Sequence, residues 1–463
     1  MSCIKKIISI LLAVALLTLC GCRDGVQNPF SPEKSPEGKS HSDPYDPDHD
    51  SAPGVSPDNV IPDSPSVSLS PDDSHTASIP LVTGAPKPKE ALPVVEISPD
   101  APIADGTLGD PASDNGWGYM MSAMNDERYI LVMNQIFDGI KSFETSISVD
   151  PILSAEETKA FIDVILSNIA VEYCFVDSLG AKIYADESDL AGVLASVEVI
   201  YNVSSLDEGL EMVSELRTAA NDVIGRLEGS WSDYRKIKYL HDWLILKCAP
   251  DENDIGGIYG ETAYGAVVEG RPTCLGYGKA MLYLLGRAGY DCAFVVGIGR
   301  EARHIWIKVR VGEEWYCIDP TWSDPLSLTL VDPEYIDYDY FMVTDEFMKR
   351  THFDVFDMVF YSVPEADSDE LCWHNVEECY ADSYEAAVKI LTDGTWNAVN
   401  GGSEYEYVRI KFSSEELYLR VKDDFSKSKY KKKILSRMSD RYTLSDRYLG
   451  SDKWTLTYVL KRN

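Results

Sequence analysis

Prolines and aromatic residues divide this chain into a part that cannot build a core and a part that can. Residues 23–115 contain 17 of the 24 prolines but only two aromatic side chains, Phe30 and Tyr45. Such a segment buries too little apolar surface to offset the conformational entropy of an ordered chain. The sequence therefore predicts a disordered tether over residues 23–115 and confines the folded body to residues 116–463.

The first 22 residues have the features of an export signal. Two lysines precede an apolar run over residues 7–19, which is too short to span a bilayer as a helix. Gly21 then precedes Cys22, which resembles the lipobox of bacterial lipoproteins, where the cysteine is lipidated and becomes the mature N-terminus. We therefore expect an exported protein, anchored by a lipid on Cys22 to the outer face of the bacterial cytoplasmic membrane. The alternative is an ordinary signal peptide with incidental cysteines.

Acidic residues outnumber basic ones in every part of the chain beyond this leader. The whole chain has 42 Lys+Arg against 76 Asp+Glu, a formal net charge of −34. The tether carries 5 basic and 17 acidic residues, and the body carries 35 and 59. No segment offers the basic surface that phosphate neutralisation requires, so the sequence predicts no nucleic-acid partner.

Apolar spacing predicts an α+β body in which a central domain (231–350) lies between two smaller α+β modules (116–230 and 351–463). The first module is predicted to have helices at 126–141, 155–168 and 206–228 and strands at 143–149, 171–176, 180–184 and 193–202. The last module repeats this order, with a helix at 383–391, a strand at 405–412, a second helix capped by the Ser-Ser-Glu-Glu segment at 413–416 and strands at 441–447 and 454–461. Either an internal repeat or the chance similarity of common patterns explains this likeness.

The candidate catalytic residues lie in the central domain. Its pattern is a helix, a glycine-rich loop, an amphipathic helix from Cys274 to about Arg287, and three strands. Cys274 then lies in the first helical turn, where free backbone N–H groups and the helix dipole favour a thiolate. A thiolate in that position is a potential nucleophile.

A histidine and an aspartate follow on two adjacent predicted strands. If the hairpin between them turns at Val311 and Gly312, His304 lies directly opposite Asp319, with Cβ atoms about 5 Å apart. A carboxylate at that distance can orient an imidazole as a general base. A register slip of one residue would place the two side chains on opposite faces of the sheet.

Three separated blocks resemble the transglutaminase-like superfamily. They are Ala-Tyr-Gly-Ala-Val-Val-Glu-Gly at 263–270 leading to Thr-Cys-Leu-Gly-Tyr at 273–277, His-Ile-Trp at 304–306, and Trp-Tyr-Cys-Ile-Asp-Pro-Thr-Trp-Ser-Asp-Pro at 315–325. The segment 340–346 is similar to one that trails the core in secreted bacterial members. The chain departs from the usual His-Ala-Trp-Asn by ending in Ile307, and Leu275 replaces a residue that is often polar.

The resemblance implies a papain-like core in which the cysteine-bearing helix packs on an antiparallel sheet. It implies that Cys274 attacks an amide carbonyl to form a thioester, that His304 is general base and acid, and that Asp319 orients it. The oxyanion would be held by the Cys274 backbone N–H and one more donor, with Tyr264 or Trp306 as cleft candidates. The substrate would be a protein or peptide, with cell-wall peptide among the candidates. The acyl group would pass to water or to an amine. A catalytically silent module that binds cell-wall or protein ligands is the alternative.

Other candidate sites are weaker, and the sequence predicts neither a cofactor nor a metal. No phosphate-binding glycine motif or EF-hand pattern is present. His241 and Asp242 have the spacing of a pair on a helix face, and Cys372, His374 and Cys379 include zinc-ligand types without a four-ligand set. Cys174, Cys248, Cys292, Cys317, Cys372 and Cys379 permit three disulfides in an oxidising compartment or free thiols in a reducing one.

Overall fold

The computed structural model describes most of the body predicted from the sequence. The described residues are 119, 126–164, 171–186, 189–248, 257–300, 302–325, 332, 334–353, 362–426 and 442–463. The predicted signal, the lipobox with Cys22 and the tether lie outside these residues. Within them, no helix is both long and apolar enough to cross a membrane.

Helices and largely antiparallel sheets alternate along the described chain, as the α+β prediction requires. The first region contains α1 (Glu127–Lys141), β1 (Ser146–Ser148), α2 (Ala155–Val164), β2 (Val176–Asp186), β3 (Asp189–Tyr201) and α3 (Leu206–Ile224). Its three strands form an antiparallel sheet in the order β1-β3-β2. The predicted capping box opens α2, since Ser154 N donates to the Glu157 carboxylate and Glu157 N donates to Ser154 Oγ.

The central region holds the largest sheet. It contains α4 (Asp233–Lys247), a π-helix (Gly265–Glu269), α5 (Cys274–Arg287), β4 (Cys292–Gly299), β5 (Ala302–Val311), β6 (Glu314–Ile318), β7 (Phe341–Val343), α6 (Asp345–Met348) and β8 (His352–Phe353). The five strands are antiparallel in the order β7-β6-β5-β4-β8. The predicted sequence of helix, loop, helix and three strands is confirmed by α4, α5 and β4 to β6.

The last region forms a third sheet. It contains α7 (Trp373–Val376), β9 (Tyr380–Ala381), α8 (Tyr384–Val399), β10 (Tyr405–Phe412), α9 (Glu415–Ser426), β11 (Tyr442–Gly450) and β12 (Thr455–Arg462). Strand order is β11-β12-β10-β9, with β9 parallel to β10 and the other pairs antiparallel. Ser414 Oγ accepts from Leu417 N at the start of α9, within the predicted capping segment 413–416.

The first and last regions share one topology. The elements α1 to β3 and the elements α8 to β12 both run helix, strand, helix and hairpin, and in each set the single strand pairs with the second strand of the hairpin. The last region adds β9, which pairs with β10. In each set, a glycine of the first helix lies against the single strand: Gly139 meets Ile147, and Gly394 meets Val408. This order is what the predicted repeat requires, and common ancestry of the two regions stays a prediction.

Buried apolar side chains show which regions share a hydrophobic core. One apolar cluster includes buried residues between 129 and 342, so the first region and the central sheet share a core. The last region has its own cluster between residues 381 and 460. The domain boundaries placed at 230 and 350 stay predictions.

One predicted strand was wrong. Residues 171–176 were expected to form a strand separate from 180–184, but 171–175 form turns, and a single strand, β2, runs from Val176 to Asp186. Tyr173, Cys174 and Phe175 are buried in succession rather than alternately, which imitates a buried strand in sequence. Gly180, the first residue of the predicted strand 180–184, lies within β2, opposite Glu198.

Candidate active site

Cys274 is the first residue of α5, as predicted, and it is partly exposed. The six other described cysteines are buried thiols. The loop before the helix is fixed by Gly260, whose carbonyl accepts hydrogen bonds from Thr273 N (2.8 Å) and Thr273 Oγ1 (3.3 Å). A Cβ on Gly276 would lie 2.1 Å from the same oxygen, so only glycine permits this close approach.

The first two turns of α5 contact the segments that carry His304 and Asp319. Gly278 lies against Ile305, the neighbour of His304, with 2.9 Å between an ideal Cβ and Ile305 Cγ2. The Tyr277 hydroxyl donates to Asp324 in the loop that follows Asp319. These contacts join the cysteine-bearing end of the helix to both predicted partners.

The structure brings His304 and Asp319 together, but not by the predicted register. The hairpin pairs Val311 with Glu314 and Ile307 with Ile318, so the turn lies one residue later than expected. Gly312 is the first turn residue and has φ +62°, a conformation that glycine adopts readily. The pairing partner therefore shifts by two residues. Since an even shift preserves the face, His304 Nε2 still lies 2.8 Å from Asp319 Oδ2, just beyond the end of β6.

Asp319 is fully buried and its carboxylate accepts four hydrogen bonds. Thr321 N (3.0 Å) and Trp322 N (3.2 Å) donate to Oδ1, while His304 Nε2 (2.8 Å) and His352 Nε2 (3.1 Å) lie at Oδ2. Burial alone would raise the pKa of Asp319, but the two imidazoles outweigh it and hold that pKa well below its usual range. The site therefore contains a buried carboxylate that is ionised at neutral pH and can orient an imidazole.

His352 is a site residue that the sequence did not reveal. It lies in the two-residue strand β8, 33 positions after Asp319, and is 2% exposed. Its Nδ1 lies 3.0 Å from Thr351 Oγ1. Burial, the largest effect, lowers the pKa of His352, although Asp319 opposes it. Neither a motif nor its spacing marks His352 as a site residue, so no sequence signal could have found it.

Trp322 covers the imidazole of His304. The two rings are stacked, with centroids 5.1 Å apart and planes 26° apart. The Arg300 guanidinium lies 5.0 Å from the Trp322 ring. The residue comes from the Asp-Pro-Thr-Trp segment (319–322), so one short loop supplies both the carboxylate and the aromatic cover.

The two cleft candidates differ in their surroundings. The Tyr264 hydroxyl donates to Glu215 of α3 at 2.5 Å, so it is already used in a structural contact. Trp306 is 2% exposed and its ring meets His352 edge-on at 4.9 Å. Its Nε1 has no hydrogen-bond partner among the described residues. Both positions favour a packing role over an oxyanion donor.

The weaker candidate sites form separate buried clusters. His241 Nδ1 lies 3.0 Å from Asp242 Oδ1, and His241 is fully buried. His374 Nε2 lies 3.1 Å from Asp339 Oδ1. Burial raises the pKa of Cys372, but His374 and then the Lys411 ammonium outweigh it, so that pKa is lowered. Cys372 is only 3% exposed, which limits its access to reagents.

One described group has three atoms close enough to hold a metal ion: His304, Asp319 and His352, within 4.8 Å of one another. Its nitrogen–oxygen distances of 2.8 and 3.1 Å are also those of charge-assisted hydrogen bonds. With an ionised carboxylate as acceptor, both nitrogens present N–H groups rather than lone pairs, so the group is best described as a hydrogen-bonded cluster.

Comparison with known proteins agrees with the site geometry. Residues 221–320 match the model of the Transglutaminase-like superfamily core, a stretch that includes Cys274, His304 and Asp319. A solved structure described as "Crystal structure of a TGase" is 15% identical over 31% of this chain and 44% of that chain, with a TM-score of 0.22. A likeness at that level supports no inference about function. No curated protein gave a significant match.

Proposed function

We propose that this chain is a thiol enzyme that cleaves or transfers the acyl groups of peptide or isopeptide amides. The observation that carries the proposal is the buried His304–Asp319 pair beside a helix that begins with a partly exposed cysteine. The match of residues 221–320 to a transglutaminase-like domain supports a thiol acyl-transfer or protease-type role.

The proposed reaction has two steps. The Cys274 sulfur attacks the amide carbonyl while His304 takes the thiol proton, and that proton then passes to the departing amine as the thioester forms. In the second step, water or an amine attacks the thioester, and the C–S bond breaks to release the carboxylic acid or the new amide. The proton lost by the attacking water or amine returns through His304 to the thiolate. Because Nε2 of His304 is bonded to Asp319, Nδ1 is the nitrogen that exchanges protons with the thiol.

Hydrolysis is the outcome we propose over transamidation. Water is abundant at a partly exposed thiol, whereas transfer requires the acceptor amine to be bound and oriented. Peptides, including cell-wall peptides, are the substrate class that this chemistry suits.

The proposed location is the outer face of the bacterial cytoplasmic membrane. Support comes from sequence alone: an apolar leader, Gly21 before Cys22, and a proline-rich segment over 23–115. Two or three acyl chains on Cys22 would anchor the protein stably, because each buried methylene contributes about 0.8 kcal/mol. Mass spectrometry of membrane-extracted protein tests this, since an unmodified Cys22 would contradict it.

The test of the activity is the pH dependence of Cys274 alkylation by iodoacetamide, read by peptide mapping. Selectivity for Cys274 over the six buried cysteines is not sufficient, because exposure alone would produce it. We expect Cys274 to react rapidly at pH values near 6, well below the usual thiol pKa of about 8.5, and to lose this acid-side reactivity in His304→Ala.

His374→Ala is the matched control, since it removes another buried imidazole that pairs with a carboxylate. It should leave the Cys274 profile unchanged. If wild-type Cys274 reacts only as an ordinary exposed thiol, the protein is not an enzyme of this type, and a silent binding module is the better description. A screen for cleaved peptides, with Cys274→Ala as the inactive reference, would then identify substrates of the active form.

A further inference from the structure

We propose that His352 is a positioning residue of this site, and that its imidazole holds the buried Asp319 carboxylate in line with His304. This inference rests on the proposed function. It adds a fourth residue to the three predicted from the sequence.

The first argument is how the carboxylate is held. Backbone N–H groups of Thr321 and Trp322 hold Oδ1, but the donors recorded at Oδ2 are the two imidazoles. His304 must gain and lose a proton during the proposed reaction, so its bond to Asp319 varies in strength. His352 does not exchange a proton in the proposed reaction, so its N–H can donate to the same oxygen, Asp319 Oδ2, throughout.

The second argument is the direction of the hydrogen bonds around His352. Its Nε2 faces a carboxylate that only accepts, so the hydrogen is on Nε2 and Nδ1 is the acceptor. Thr351 Oγ1 lies 3.0 Å from that Nδ1 and also 3.0 Å from the Tyr340 hydroxyl. A consistent chain therefore runs from Tyr340 to Thr351, then to His352, and finally to Asp319. The carboxylate selects the tautomer with the hydrogen on Nε2, and this chain is compatible with that tautomer.

The third argument is that the ring cannot turn away. Its centroid lies 4.2 Å from that of Trp322, 4.9 Å from that of Trp306 and 5.3 Å from that of Tyr340. The backbone of His352 also pairs with Gly299, the glycine whose Cβ would lie 2.8 Å from His304 Cβ. The end of β4 thus sets both imidazoles relative to each other.

The charge state of His352 suits a residue that always donates a hydrogen bond to Asp319. Burial lowers the pKa of His352, so it is neutral at pH 7 and keeps its single N–H on Nε2. Its charged and titratable neighbours are Asp319, which raises the pKa, and His304, which lowers it. A neutral donor stabilises the carboxylate without cancelling its charge, which His304 needs when it becomes an imidazolium.

The experiment compares His352→Gln with His352→Leu in the full chain. The glutamine amide can reach Oδ2 as a donor, whereas leucine fills similar space and donates nothing. We expect the leucine variant to lose about 10- to 100-fold in the acid-side rate of Cys274 alkylation, and the glutamine variant to stay within about 3-fold of wild type. The pH below which Cys274 alkylation slows should be higher in His352→Leu than in wild type, because Asp319 with one hydrogen-bond donor fewer is protonated more easily.

Two further measurements separate this inference from the proposed function. In ¹⁵N NMR spectra of the Cys274→Ala protein, assigned by difference from its His304→Ala variant, His304 should carry its proton on Nε2, and the same protein with His352→Leu should show mixed tautomers. With the thiol removed, no thiol proton reaches His304, so this readout does not depend on activity. If the leucine variant does not fold, Thr351→Val keeps the ring, removes the hydroxyl at its Nδ1 and should give a smaller shift in the same direction. The positioning role would be overturned if the pH profile of Cys274 alkylation and the tautomer of His304 were the same with and without the His352→Leu substitution.

Discussion

His304 Nε2 lies 2.8 Å from Asp319 Oδ2, and both side chains are shielded from solvent, with exposures of 7% and 0%. A hydrogen bond of this kind fixes the tautomer of the imidazole, because the nitrogen that donates to the carboxylate cannot also accept a proton. The other nitrogen, Nδ1, is left with the unshared pair that a general base needs. The relationship therefore specifies which atom of His304 serves Cys274.

Asp319→Asn should disable the site while leaving the fold intact. The amide oxygen can still accept from Thr321 N and Trp322 N, but the amide NH₂ then faces His304 and forces its proton onto Nδ1. We expect a loss of about 10²- to 10⁴-fold in the acid-side alkylation of Cys274, and in kcat on a cleaved peptide with KM little changed.

A matched control for this change is Asp291→Asn. Asp291 pairs with Arg310 at the opposite end of the β4–β5 hairpin from His304. Its removal should leave both rates within about 2-fold, because it breaks only a partly exposed ion pair. Equal losses in the two variants would show that general destabilisation, not the tautomer of His304, explains the result.

Asp324 should make the stability of the protein depend on pH near neutrality. Burial raises the pKa of Asp324 to about 6, against the lowering effect of the Tyr277 hydroxyl. The folded chain therefore binds this proton more tightly than the unfolded chain, whose aspartate pKa is about 3.9. The contribution of Asp324 to stability is fully present below pH ~3.9 and is lost as pH rises through about 6.

Asp324→Asn removes this dependence and keeps an oxygen that can accept from Tyr277. We expect the variant to be more stable than wild type at pH 7.5 by up to about 3 kcal/mol, and the difference to shrink below pH ~4. Denaturant unfolding of both proteins across this range measures the difference, so the titration of other groups cancels. A constant difference at every pH would contradict the assigned pKa.

Tyr264→Phe tests whether the cleft role predicted for Tyr264 is catalytic. If its hydroxyl stabilised the oxyanion, its removal would lower kcat by about 10²- to 10³-fold. Because the hydroxyl is bonded to Glu215, we expect kcat to change by less than about 3-fold and the free energy of unfolding to fall by about 1 kcal/mol. Peptide cleavage and urea unfolding of the same samples distinguish the two roles.

The sequence predicted the positions of the candidate catalytic residues where local patterns determine the structure. The helix predicted from Cys274 to about Arg287 is confirmed as α5, because amphipathic spacing and the glycine-rich loop before it are both local signals. Alternation along β5 and β6 correctly placed His304 and Asp319 on one face. The exact register was wrong by two residues, since a turn at residues 311–312 or 312–313 satisfies the same alternation.

The sequence could not reveal contacts made by residues far apart in the chain. His352 reaches Asp319 through a two-residue strand that no periodicity predicts. The Tyr264 hydroxyl donates a hydrogen bond to Glu215 of α3, which lies in a region that sequence patterns assigned to another module. Both results depend on how separate elements pack, which local propensity does not encode.

Gly276→Ala should be strongly destabilising even though alanine favours helices. In an unconstrained helix interior, alanine is preferred over glycine by about 1 kcal/mol. Here its Cβ would lie 2.1 Å from the Gly260 carbonyl oxygen, a backbone atom that also accepts from Thr273 and cannot move without disturbing the turn before Cys274. We expect a loss of about 2–4 kcal/mol in the free energy of unfolding, together with slower alkylation of Cys274. Gly229→Ala is the control, because nothing lies within 4 Å of its Cβ position. A Gly276→Ala variant as stable as Gly229→Ala would show that the loop moves freely, and that Gly260 does not fix the position of the thiol.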